Sequence, residues 1–363
     1  MPEPLKNIYN APLFEAFTAA FQAAYPAFDR EAFLDAIYDA EWEGRELKAR
    51  MRHITVCLRA ALPDDYRTAL DIIRRAAPSL DAYGFATMVF PDFVELYGLD
   101  DWDVSIPALE QFTQQCSAEF AVRPFILRDA DRMMAQMLDW AGHPSHHLRR
   151  LASEGCRPRL PWAMALPAFK ADPSPILPIL ERLKQDESEY VRRSVANNLN
   201  DIAKDNPQVT LDTAARWRTI DTPEMQALIS RALRTLVKEG NPAALALMGY
   251  AGAAAFAIQN LSVEPAAVAL NGSVTITFEV RSLSDTPQNL MIDYVVYLAG
   301  ANGQPRRKVF KLSKKTLAPG ETAVFTRRHS FAPVTTRRYY PGEHAVQIQV
   351  NGALSERAAF RVG

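Results

Sequence analysis

The chain has 363 residues, 48 % of them hydrophobic and 23 % charged, with a formal net charge of −1, enough for two cores of ordinary size. Its three cysteines, Cys57, Cys116 and Cys156, are far apart and lack CxxC spacing, which excludes a disulfide scaffold and fits a reducing, cytoplasmic setting. No basic and then apolar leader opens the sequence, and the most apolar stretch, 243–258, is short and broken by glycine, so neither a signal peptide nor a membrane span is expected.

The small net charge hides an asymmetry. Residues 1–110 hold 10 Lys+Arg against 19 Asp+Glu, residues 111–257 hold 18 against 16, and residues 258–363 hold 13 against 7. Base therefore accumulates toward the C-terminus, and a basic face on an otherwise acidic chain is enough to attract phosphate.

From Pro12 to about Gly249 the apolar residues recur at helical spacing. Phe14, Phe17 and Phe21 open one face, Phe33, Ile37 and Tyr38 follow, and Leu47, Met51, Ile54, Val56 and Leu58 make another. Pro124 either begins a helix or kinks one, while Asp172-Pro173 and Thr222-Pro223 mark helix starts. Leu148, Arg149 and Arg150 stand 43 residues before Val191, Arg192 and Arg193, and a period of about 40–47 is that of HEAT or armadillo helix pairs. Residues 1–254 thus read as an all-α, HEAT-like helical-repeat solenoid.

After Ala255 the texture alternates: Val274, Ile276, Phe278 and Val280 point one way, Thr275, Thr277 and Glu279 the other. Further runs at 290–298, 308–312, 322–331 and 344–350 are separated by turn pairs such as Asn271-Gly272 and Pro319-Gly320. About seven short strands make residues 255–363 an all-β, immunoglobulin-like sandwich, with a linker near 249–256.

Residues 143–162, HPSHHLRRLASEGCRPRLPW, set Arg149, Arg150, Arg157 and Arg159 around Glu154 and close on Trp162. On a helix, residues four apart share a face, so Arg150 pairs with Glu154, and Arg193, Asn197 and Asp201 form one stripe. The 43-residue offset sets Glu154 opposite Asn197. Glu119 is a further candidate carboxylate. The plainer alternatives are a solvated Arg–Glu helix face, Glu119 neutralised by Arg123, and Trp162 as a packing residue. Arg149, Arg150, Arg157, Arg159, Arg192, Arg193 and Asn197, with Arg306, Arg307 and Lys308 in the sandwich, are the expected phosphate contacts. His143, His146, His147 and Cys156 lack zinc spacing, and no phosphate-binding or dinucleotide glycine pattern occurs, so no metal and no cofactor are expected.

Taken together, SAEFAVRPF, HLRRLASEGCRPRLPW and VRRSVANNLNDIAKDNP resemble the AlkC branch of the AlkC/AlkD bacterial DNA alkylation-repair glycosylases, over essentially the whole chain and including the immunoglobulin-like domain that some members carry. The resemblance implies hydrolysis of the N-glycosidic bond of cationic alkylated bases, 3-methyladenine and 3-methylcytosine, in double-stranded DNA. A cationic base leaves as a neutral molecule, so what remains is to stabilise an oxocarbenium-like sugar and orient water, tasks for an ionised carboxylate. Glu154 is expected to take that part, with Glu119, Asp201 and Trp162 completing the site, in a monomer. The AlkD branch uses an aspartate with two tryptophans; this chain offers three carboxylates and one clear tryptophan, which leaves the leading carboxylate open. The alternative is a non-catalytic HEAT scaffold that binds DNA or a protein partner.

Overall fold

A computed structural model describes residues 3–250, 255–334 and 337–363. They form two compact units, residues 1–206 with 222–232, and residues 207–221 with 233–363.

The first unit is helical. Several of its helices begin where a short polar side chain accepts a hydrogen bond from a free amide of the first turn: Asn10 from Leu13 at 3.1 Å, Asp29 from Ala32 at 3.0 Å, Asp65 from Thr68 at 2.8 Å and Asp129 from Arg132 at 3.0 Å. Pro124 lies in the first turn of a new helix, Val122–Arg128, and Pro223 starts Pro223–Ala232. Asp172 instead accepts from the Ser174 amide and opens a single 3-10 turn ahead of Leu177–Leu183. Phe14, Phe17 and Phe21 are buried on one face of Ala11–Ala24, with Phe17 stacked 4.6 Å from Phe21 and 5.6 Å from Phe33. Val56 departs from expectation: it is exposed, because five residues beyond Met51 it has left the buried face of Leu47–Ala60.

The 43-residue register appears as two helices packed side by side, His146–Gly155 and Glu189–Ile202, while Pro223–Ala232, out of that register, packs on the second of them. The first two each pack on the helix before them, Ala130–Trp140 and Leu177–Leu183, and the matched Leu148 and Val191 are both buried. This layer carries most of the site.

The second unit joins the helices Pro207–Trp217, Arg234–Glu239 and Pro242–Leu247 to a β-sandwich. Its strands are β1 (Phe256–Glu264), β2 (Ala267–Val268), β3 (Ser273–Ser282), β4 (Gln288–Leu298), β5 (Arg306–Leu317), β6 (Thr322–Ser330), β7 (Gly342–Val350), β8 (Ala353–Leu354) and β9 (Ala358–Val362). One sheet runs β1-β3-β6 and the other β2-β9-β7-β4-β5, with β8 beside β7. As the alternation predicts, Val274, Ile276, Phe278 and Val280 enter a core shared with Tyr294, Val296, Val346 and Ile348. His329 and His344 are also buried there, both edge-on to Phe331. Gly240 and Gly352 meet backbone to backbone: a Cβ on Gly240 would stand 2.8 Å from the Gly352 Cα, so neither position has room for a side chain. The helix Pro242–Leu247 is followed by β1 from Phe256; the expected boundary at 254/255 and most of the expected linker, 251–254, fall on or beside residues outside those described. No helix among the described residues is long and apolar enough to cross a membrane.

Candidate active site

Glu119, Glu154 and Asp201 fall in one cluster threaded by arginines. Glu154, near the end of His146–Gly155, is gripped on Oε1 by Arg157 at 2.5 Å and Arg150 at 3.5 Å, and on Oε2 by the Ser194 hydroxyl at 2.7 Å. Arg157 reaches across to Asp201 at 2.8 Å, whose other oxygen takes Lys204 at 2.8 Å. On the other side Arg150 pairs with Glu119, and both bond Ser117, Glu119 accepting from its hydroxyl at 2.6 Å. The order in space is therefore Glu119, Arg150, Glu154, Arg157, Asp201, Lys204, with alternating sign. Such alternation lets buried charges remain paired. Ser153 donates to Ser194 at 2.7 Å, and Asn198 to the Ser153 carbonyl at 2.8 Å, so small polar residues bring the two helices close enough for these bridges.

The carboxylates differ in reach. Side-chain exposure is 15 % for Glu119, 7 % for Glu154 and 1 % for Asp201. Both recorded partners of Glu119 engage Oε2, which leaves Oε1 open among the described residues. Tyr190, missed by the sequence reading, lays its ring over Arg150 at 5.1 Å and is flanked edge-on by His146 and His147.

Arg123 does not neutralise Glu119. It is fully buried and donates to the carbonyls of Gly155 at 2.8 Å, Arg157 at 2.9 Å and Met164 at 2.7 Å, shaping the loop that presents Trp162. Burial, with the like charge of Arg157, brings its pKa down to about 10. Trp162 is not core: it is 63 % exposed and has φ 65°. Lys48 donates to its carbonyl at 2.6 Å and lies 5.0 Å from the centre of the Phe120 ring, next to Glu119. That link spans 114 residues and has no local sequence signal.

The remaining basic residues are placed variously. Arg157 is a buried bridge, not a surface clamp. Arg149 forms a two-pronged pair with Asp186 at 2.6 and 3.0 Å, and Arg159 another with Asp205. Arg192 donates to the Asp186 and Glu187 carbonyls, and exposed Arg193 pairs with Glu189 at 2.5 Å. Both line a groove of about 280 Å³ beside Pro223–Ala232, while Asn197 is half-buried. Across the helices it is Ser194 that bonds Glu154. Arg306, Arg307 and Lys308 are exposed on β5, which ends the order of its sheet, with Arg307 bonded to Gln349. The Cys156 thiol, pushed up to about 12 by burial, is no nucleophile. Among the described residues no group of three His, Cys, Asp or Glu side chains is placed to hold a metal ion.

Residues 257–363 match the family described as the C-terminal immunoglobulin-like domain of YhaZ. The YhaZ protein of Bacillus subtilis (strain 168), itself described as uncharacterized, is 44 % identical over 358 residues, 99 % of each chain. The Pseudomonas fluorescens alkylpurine DNA glycosylase AlkC, solved bound to DNA containing an abasic site analog, superposes with a TM-score of 0.94 at 38 % identity, covering 99 % of this chain and 100 % of that one. With identity at this level from end to end and both parts of the fold shared, the chain belongs to the AlkC family.

Proposed function

We propose that this protein is a DNA glycosylase that hydrolyses the N-glycosidic bond of cationic alkylated bases, 3-methyladenine and 3-methylcytosine, in double-stranded DNA. The observation that carries this reading is the Glu119–Arg150–Glu154–Arg157–Asp201 cluster, together with an exposed Trp162 whose carbonyl accepts from Lys48, itself set over the ring of Phe120, the neighbour of Glu119. Its support from likeness is AlkC itself, named as an alkylpurine glycosylase.

The leaving base needs no general acid, because it departs neutral. Positive charge grows on the sugar, where a carboxylate counters it and orients the attacking water. Glu119, with Oε1 open, takes this role in place of Glu154, whose two oxygens are both engaged. Glu154 and Asp201 act as positioning residues that hold Arg150 and Arg157, and the Trp162 ring faces the cationic base or sugar. Arg192 and Arg193, with Arg306, Arg307 and Lys308, contact phosphates without reading sequence. Arg149 and Arg159, closed in ion pairs, brace the helices. Residues 1–254 carry the chemistry and 255–363 add phosphate contacts, in a monomer that uses no cofactor.

The test is incubation with DNA treated with a methylating agent. Release of free 3-methyladenine and 3-methylcytosine, leaving abasic sites, is the expected result. DNA binding with no released base would make the protein a scaffold.

A further inference from the structure

Trp162 holds a backbone conformation that its own side chain disfavours. A bulky L-residue at φ 65° is crowded, and such a conformation persists only where its surroundings over-determine it. Here four carbonyls of the 155–164 loop accept from two cationic side chains: Arg123 holds Gly155, Arg157 and Met164, and Lys48 holds Trp162 itself. The two cations differ in kind. Arg123 is buried and belongs to the core, whereas Lys48 is exposed on the helix Leu47–Ala60. The Lys48 ammonium is fixed between the Trp162 carbonyl at 2.6 Å and the Phe120 ring at 5.0 Å, a hydrogen bond and a cation–π contact from one group. Phe120 adjoins Glu119, so one surface lysine links the tryptophan to the residue beside the most accessible carboxylate of the cluster.

We infer that Lys48 is a positioning residue: it fixes Trp162 in the left-handed conformation and registers the indole against the Phe120–Glu119 edge of the cluster. This rests on the reading of Glu119 and Trp162 as the pair that faces substrate.

Lys48→Met keeps an aliphatic stem on Phe120 and removes the donor; Lys48→Arg returns one. Of the five tryptophans, Trp42, Trp140 and Trp217 are buried and Trp102 is half-buried, so iodide quenching of fluorescence reports chiefly on Trp162, and Trp162→Phe defines its share. In the full-length protein, Lys48→Met is expected to change the Trp162 share of quenching. It should also lower the single-turnover rate of 3-methyladenine release at saturating DNA by about tenfold. The half-saturating DNA concentration and the thermal midpoint stay unchanged, and Lys48→Arg recovers most of the rate. A raised half-saturating concentration at unchanged rate would make Lys48 a phosphate contact and overturn the assignment, as would unchanged quenching. If the wild-type protein releases no base, the glycosylase reading fails by itself, and the quenching comparison still decides whether Lys48 sets Trp162.

Discussion

Removing the charge of Glu119 and that of Glu154 should produce different defects. Glu119 sits at the open end of the cluster, so Glu119→Gln is expected to slow base release by about a hundredfold with little change in thermal midpoint. Glu154→Gln leaves Arg150 and Arg157 short of a counter-charge inside the protein, which costs about 3 kcal/mol and lowers activity through displaced arginines. Single-turnover release and thermal unfolding on both variants separate the two; a stable Glu154→Gln protein with no activity would return the leading role to Glu154. Spacing made the Arg150–Glu154 pair legible, because both lie on one helix. Glu119–Arg150 joins the turn before Val122–Arg128 to the helix His146–Gly155, and Arg157–Asp201 joins the loop after that helix to Glu189–Ile202, and nothing in local sequence announces them. Nor does sequence tell Arg157 from Arg159: two residues apart, one is a buried bridge and the other an outward ion pair.

At the scale of elements, Gly155 ends the helix that carries Glu154 and packs where no side chain fits. A Cβ there would stand 2.5 Å from Val122 Cγ2 and 3.0 Å from Met137 Cε. Gly155→Ala is therefore expected to lower stability by about 2 kcal/mol, read by denaturant unfolding, and to slow base release by shifting Glu154; an unchanged midpoint would show that the helices give way freely. The helices were readable because their apolar residues keep a 3.6-residue period, and β3 because its burial alternates strictly. β1 was not, since a register shift between Gln259 and Ser262, with Asn260 at φ 56°, breaks the alternation. β4 is buried along most of its length, on both faces, so its alternation is masked while its apolar run remains visible.

At the scale of the whole molecule, acid should act on the second unit first. Burial, helped by Arg337 and Arg327, holds His329 down to about 4, against an ordinary 6.5, and burial lowers His344 as well. Between these values the unfolded chain takes up protons that the folded sandwich refuses, so stability is full above about pH 6.5 and falls as pH drops toward 4. For His329 the loss is on the order of 2–3 kcal/mol. His329→Gln should flatten that dependence in thermal melts followed from pH 7 to pH 4.5; an equally steep fall would place the acid-sensitive group elsewhere. The chain enters the second unit at Pro207, leaves it at Thr222 and returns at Leu233. Ending the protein at residue 254 thus strips three helices of the sandwich with which they form one unit, and the fragment is expected to melt below the full-length chain. The same membership gives the molecule two built-in optical gauges. Trp217, a helical residue by sequence, belongs to the unit of the sandwich, whereas Trp140, bonded to Glu110, belongs to the first. With Trp42, Trp102 and Trp162 replaced by phenylalanine, a titration that dims one before the other would reveal which half of the protein yields first, with no label attached.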